Sequence, residues 1–250
     1  MKLNTSQTKQ RGFTLVEIAI VLMIIGLLIG GILRGQELIT SARVRNIIDQ
    51  KAAIQTAQIG FMDRYRMLPG DLTDAQATIV GNGAVGSGAN GGNGLINIAN
   101  DATNESVMVF QNLAAAGFIA CGPCIAVTGP AISTINNSPT NVFGDFLMTG
   151  RAPNALGNGG WWWDWAAAGS QVRNLVTTGG SIGSQILAET DRKADDGNPG
   201  TGSLRHSTQG GSNGTTQCAP VLLAATTALQ TATAVWANPA WDNCAGAWLL

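Results

Sequence analysis

Histidine is almost missing from this chain, with one residue, His206, among 250. A single imidazole excludes metal sites built from several histidines and removes most histidine-based catalysis, so we predict no enzyme. Charged residues are also scarce, at 12%, and the formal net charge is −1. Because there is no basic excess to attract a phosphate backbone, we predict no nucleic-acid partner.

Acidic residues are absent from positions 1–12, which carry Lys2, Lys9 and Arg11. Residues 13–33 are then apolar apart from one charge, Glu17. As a helix, these 21 residues span about 31 Å, the thickness of a bilayer core. The run is too long for an ordinary secretory signal, and it is apolar on all sides, unlike a surface helix of a soluble protein. We therefore predict a membrane-spanning helix over 13–33.

Proline is absent before Pro69, so nothing in residues 34–68 breaks a helix that continues from the apolar run. Apolar residues recur there at helical spacing, which predicts an amphipathic continuation with one apolar stripe. The stripe consists of Val44, Ile47, Ile54, Phe61 and Tyr65. It needs a cover, which the domain at 69–250 can supply.

The junction between the basic segment and the apolar run reads RGFTLVE from Arg11 to Glu17. This junction resembles the processing site of type IV prepilins and of type II secretion pseudopilins. The resemblance implies that residues 1–12 are a leader, cut between Gly12 and Phe13 by a prepilin peptidase, usually with N-methylation of Phe13. An unpaired carboxylate in a bilayer costs about 3 kcal/mol. The resemblance gives Glu17 its partner, the amine of a neighbouring subunit.

The resemblance also implies a function, a location and a set of partners. The chain would be a structural subunit of a type IV pilus or a type II secretion pseudopilus, polymerised through its N-terminal helix. It would cross the inner membrane once, with its head in the periplasm, before joining a filament at the cell surface. Its partners would be membrane lipid, an inner-membrane assembly platform, and other copies or other pilins.

Residues 69–250 have the composition of a globular head. We predict a helix within 104–119 and strands at 142–148, 161–168 and 172–177, whereas 221–236 fits either strand or helix. The absence of alternating long helices and strands disfavours a doubly wound fold. We predict an α+β, pilin-like fold in which the long helix packs on an antiparallel sheet. Half of the residues in 81–94 are glycine, which predicts an exposed, flexible loop.

All four cysteines lie in the head, at Cys121, Cys124, Cys218 and Cys244. The segment CGPC resembles a thioredoxin-type redox motif, but that motif needs a βαβ frame that the flanking residues do not predict. A tight structural bridge, or two pairings with the distant cysteines, is favoured; pilin heads often carry a C-terminal bridge such as Cys218–Cys244. The even count favours an oxidising compartment, which places the head outside the cytoplasm.

An acidic segment, 189–205, offers four oxygen ligands within eight residues: Asp191, Asp195, Asp196 and Asn198. Such ligands suit calcium, although the spacing is not that of an EF-hand. The segment also resembles a DRK-x-DDG-x-P-x-TG stretch of some pilin-like heads, and major pseudopilins bind calcium near this place. The alternative is a solvated acidic turn with basic neighbours.

Tryptophan is concentrated in one string, WWWDW, which contains Trp161, Trp162, Trp163 and Trp165. On a strand, alternate rings would share one face. That face is predicted to line the core or a subunit contact. The alternative is a stacking surface for a sugar or a partner. In that case the chain would be a membrane-tethered surface- or carbohydrate-binding protein that does not polymerise.

Overall fold

The computed structural model describes residues 13–88, 91–96, 105–126, 133–152, 173–207, 218–219, 235–237 and 241–250. The chain divides into two compact units, Met1–Ala42 and Arg43–Leu250. One long helix, α1, begins at Leu15 in the first unit and ends at Tyr65 in the second. The predicted continuous helix is confirmed, and its length follows from the absence of proline over this span.

The part of α1 in the first unit is uncovered. Its large apolar side chains are all exposed, from Leu15 at 86% through Leu27 at 77% to Leu38 at 71%. An 18-residue window of this helix reaches a mean hydropathy of 2.8, which makes it long and apolar enough to cross a membrane. So much apolar surface in contact with water is unfavourable, because each buried CH₂ group contributes about 0.8 kcal/mol. The segment therefore fits membrane anchoring.

The part of α1 in the second unit buries one side. Val44, Ile47, Ile54 and Phe61 are at most 4% exposed. These are four of the five residues of the predicted stripe, and Tyr65 is partly buried at its end. Phe61 belongs to a core cluster with Leu72, Val109 and Leu113. Ile54 packs in a second cluster with Phe110 and Trp248, and these two side chains are fully or nearly fully buried. The head thus covers the stripe.

The head contains three further α-helices, one 3₁₀ helix and four strands in the described residues. The helices are α2 Asp74–Val80, α3 Glu105–Ala115, the 3₁₀ helix Pro123–Ala126 and α4 Ser184–Ala194; the strands are β1 Thr149–Ala152, β2 Arg173–Thr177, β3 Leu204–Ser207 and β4 Ala245–Leu249. The strands form one antiparallel sheet in the order β1-β2-β4-β3. The predicted α+β class, with a long helix and a small antiparallel sheet, is confirmed.

Two predicted elements of the head match closely and one does not. The helix predicted within 104–119 is α3, and the strand predicted at 172–177 is β2. The strand predicted at 142–148 is wrong, because this segment is a turn that precedes β1. The side chain of Asn141 accepts hydrogen bonds from the backbone N–H groups of Phe143 and Asp145, which bends the chain. The predicted strand at 161–168 lies outside the described residues.

The glycine-rich loop at 81–94 forms more hydrogen bonds with the rest of the head than a flexible loop would. Asp71, just after α1, is 3% exposed, and its Oδ1 accepts hydrogen bonds from the N–H groups of Gly92 (2.7 Å) and Asn93 (3.1 Å). Its Oδ2 accepts a third from Gly94, at 2.5 Å. At Gly91 an added Cβ would lie 2.4 Å from the carbonyl oxygen of Leu72, so only glycine fits there. The described residues of this loop are thus folded around a buried carboxylate.

Candidate functional site

The helix start holds two of the three residues of the predicted processing and assembly site. Phe13 precedes α1 and is exposed, and Glu17 lies in the first turn. The Oε2 atom of Glu17 accepts hydrogen bonds from the Thr14 backbone N–H (3.2 Å) and hydroxyl (3.1 Å). In return, the Thr14 hydroxyl oxygen accepts from the Glu17 N–H (3.2 Å). Gly12 lies outside the described residues.

This reciprocal pair resembles a capping box in both geometry and effect. It satisfies two of the N–H groups that a helix start leaves without partners. A carboxylate in the first turn also interacts favourably with the positive end of the helix dipole. Glu17 is therefore held about one turn from Phe13, exposed, and able to accept a further donor from outside the chain.

The acidic loop gathers three of its four predicted ligands. Asp191 lies in the last turn of α4, Asp195 directly follows that helix, and Asp196 comes next. One carboxylate oxygen from each lies within 4.8 Å of the others. The fourth residue, Asn198, is in the same loop, where its side-chain oxygen accepts a hydrogen bond from the Gly200 N–H at 2.9 Å.

Each of the three carboxylates also organises the chain around it. Asp195 accepts hydrogen bonds from the N–H groups of Ser203 and of Leu204, the latter at 2.8 Å, and so fixes the start of β3. Asp196 accepts from the Thr201 hydroxyl and from the Asn198 N–H. These bonds close the loop while one oxygen of each carboxylate stays within 4.8 Å of the others.

Asp191 is the buried member of this group. Its Oδ2 accepts a hydrogen bond from the indole Nε1 of Trp236 at 2.8 Å. The pKa of the Asp191 carboxyl is raised to about 6, chiefly by burial and to a smaller extent by the charges of Asp196 and Asp195. The hydrogen bonds from Trp236 and Gly197 act in the opposite direction and lower it. A divalent cation would offset this repulsion, and an all-oxygen set is the kind that calcium prefers. The residues present therefore fit a hard cation.

The cysteines form two disulfides, Cys121–Cys124 and Cys218–Cys244. The first closes a short loop after α3. The second ties residue 218 to the residue just before β4 and lies in a core cluster with Ile47, Leu187 and Trp236. In the described residues that precede Cys121, the element is α3 rather than a strand, so the frame of a thioredoxin-type motif is not found there.

Sequence reasoning missed two residues, Asp71 and Trp236, whose contacts are formed with residues far away in the sequence. Asp71 was not among the predicted site residues, and its three N–H partners lie more than twenty positions away. Trp236 is 45 positions from Asp191, and no local pattern links them. The four tryptophans of the string at 161–165 lie outside the described residues.

Comparison with known proteins gives one result, at the N-terminus. Residues 7–33 match the family model described as the prokaryotic N-terminal methylation motif. This motif is the prepilin-type signature of type IV pilins and pseudopilins, and it indicates a structural, pilin-like subunit. Searches of the curated proteins and of the solved structures gave no significant match.

Proposed function

We propose that this chain is a structural subunit of a type IV pilus or a type II secretion pseudopilus. The observation that carries the proposal is the methylation motif at residues 7–33, which spans Gly12, Phe13 and Glu17. The uncovered apolar part of α1 supports it. A prepilin peptidase removes residues 1–12, and the mature chain begins at Phe13.

The apolar part of α1 anchors the subunit in the membrane before assembly. In the inner membrane its exposed side chains contact lipid, and the head lies in the periplasm. Two disulfides in the head support this orientation, because disulfides persist in oxidising compartments. An inner-membrane assembly platform then moves the helix from lipid into a bundle of neighbouring helices, where its apolar surface stays out of water.

Processing can be tested on the purified chain by intact mass. We expect the chain in filaments to lack Met1–Gly12 and to begin at Phe13, with or without one added methyl group. A Gly12→Val variant places a branched side chain at the cut, so it should keep the leader. Gly35→Val is a matched control, because a Cβ at this helical glycine meets no heavy atom within 4 Å.

Two outcomes would contradict the proposal. One is a chain that still begins at Met1 while it forms part of a working filament. The other is an unprocessed chain that never enters filaments and binds a sugar or surface ligand through Trp162, with binding lost in Trp162→Ala. That second outcome would favour the tethered binding protein.

We also propose that the acidic loop binds calcium through Asp191, Asp195 and Asp196. The support is the convergence of their oxygens within 4.8 Å and the raised pKa of Asp191. Asn198 can add a fourth oxygen from the same loop. Calcium would join the end of α4 to the start of β3.

Calorimetric titration of the full chain with calcium and with magnesium tests this site. We expect saturable calcium binding, with affinity lowered about tenfold or more in Asp196→Asn, since each lost carboxylate reduces the ligand charge. Asp49→Asn removes an exposed carboxylate on α1 and should leave binding unchanged. Equal affinity in all three proteins, or no binding at millimolar calcium, would contradict the site.

A further inference from the structure

The two disulfides of the head differ in how far solvent reaches them. Cys218 and Cys244 are both 0% exposed. In the other disulfide Cys124 is also 0% exposed, whereas Cys121 is partly exposed. All four cysteines lie in the described part of the chain, and Cys121 is the one that a reagent in solution can reach without opening the head.

The surroundings of Cys121 leave room for a partner. Gly122 and Pro123, the two residues between the bridged cysteines, are exposed. A Cβ added to Gly122 would meet no heavy atom within 4 Å, so another polypeptide backbone can approach closely there. Residues 121–123 therefore form a small surface of two exposed residues next to the partly exposed Cys121.

Cys124 is fixed from the other side. It packs in a core cluster with Phe110 and Ala114 of α3, and with Leu147 and Trp248. Its backbone N–H donates a hydrogen bond to the carbonyl oxygen of Cys121 at 3.2 Å. Cys124 is thus fully buried in this cluster, whereas Cys121 packs against its edge and is partly exposed. An incoming thiolate therefore reaches Cys121 more readily than Cys124.

We propose that Cys121 is a site of thiol–disulfide exchange with a dithiol oxidoreductase. A thiolate of the partner attacks the Sγ atom of Cys121, the Cys121–Cys124 bond breaks, and Cys124 leaves as a thiolate that takes up a proton. The second thiol of the partner loses its proton and attacks the partner's sulfur in the mixed disulfide. Cys121 then leaves as a thiolate and is protonated. Two electrons and two protons pass from the partner's dithiol to the head, and the partner becomes a disulfide.

This exchange leaves the rest of the head intact. The Cys124 side chain can stay in its cluster, because only Cys121 and the exposed residues after it need to move. The buried Cys218–Cys244 bridge is unreachable in the folded state. The reaction is therefore reversible on the folded protein, and it depends on neither cleavage of the leader nor assembly into a filament.

Native-state reduction tests the difference in access. The full chain, in detergent micelles, is treated with dithiothreitol at neutral pH, alkylated, then unfolded and alkylated with a second reagent. We expect Cys121 to carry the first label, Cys124 to carry mainly the second, and Cys218–Cys244 to be reduced at least tenfold more slowly. Reduction of both disulfides at one rate, or of neither until the head unfolds, would overturn the proposal.

Trapping tests the attacked sulfur. The probe is reduced thioredoxin whose resolving cysteine is replaced by serine, so that the mixed disulfide accumulates. Peptide mass spectrometry should place the adduct on Cys121 of the wild-type chain. A Cys121→Ser variant, checked for native near-ultraviolet circular dichroism, should form at least tenfold less adduct. An adduct on Cys124, Cys218 or Cys244, or no adduct at all on wild type, would refute the assignment.

Discussion

A Glu17→Ala variant should insert into the membrane normally and be absent from filaments. Insertion depends on the apolar side chains of residues 13–33, and replacing a carboxylate by a methyl group makes that segment more apolar. Incorporation depends on the proposed pairing of Glu17 with the amine of Phe13 on the adjoining subunit. Without the carboxylate, nothing sets the axial register of the incoming helix, and the amine has no partner in a medium without water.

The measurement is the ratio of filament-associated to membrane-associated protein, taken by fractionation and immunoblotting. Glu37→Ala is the matched control. It removes an exposed carboxylate from the same helix, one that forms an ion pair with Arg34 at 2.6 Å. An exposed pair of this kind contributes less than about 1 kcal/mol, so this variant should assemble as wild type does. If filaments contain the Glu17→Ala variant at the wild-type ratio, Glu17 does not set the axial register of the incoming helix.

The long helix could be predicted from the sequence because the features that determine it lie within one segment. Hydrophobic residues every three or four positions and the lack of proline act within one segment, and the buried side at Val44, Ile47, Ile54 and Phe61 follows from them. Helix α4 was not predicted. It contains Asp191 and overlaps the segment 189–205, which was interpreted as a set of calcium ligands or as a solvated acidic turn. Leu187 and Thr190 are nevertheless buried at helical spacing.

The candidate sites also combine features that depend on neighbouring residues with features that depend on residues distant in the sequence. The proposed processing and assembly residues lie in one short string, so they could be predicted from the sequence alone. The acidic loop could be predicted as a candidate cation site because its carboxylates are close in sequence, but its electrostatics depend on Trp236, a distant residue. Which cysteine of CGPC is the more exposed also depends on tertiary packing, since Cys124 is buried by side chains from α3 and from the sheet.

The contact between Asp71 and the glycine-rich loop could not be predicted from the sequence either. Removing this contact should have the largest effect on the stability of the head. In Asp71→Ala the N–H groups of Gly92, Asn93 and Gly94 lose a charged acceptor. Hydrogen bonds to charged groups contribute about 1.5–3 kcal/mol each. These three residues are exposed, and water can replace part of the loss. We therefore expect the free energy of unfolding to fall by about 3 kcal/mol.

Guanidinium unfolding of the full chain in detergent, followed by tryptophan fluorescence, measures this fall. Asp71→Asn should be intermediate, because the amide oxygen can still accept from Gly92 and Asn93, whereas the amide NH₂ group opposes the N–H of Gly94. Asp49→Ala, an exposed site on α1, should stay within about 0.5 kcal/mol of wild type. Faster hydrogen exchange should be confined to the loop in Asp71→Asn. If Asp71→Ala unfolds at the wild-type midpoint, the carboxylate does not hold the loop, and the glycines fold there for another reason.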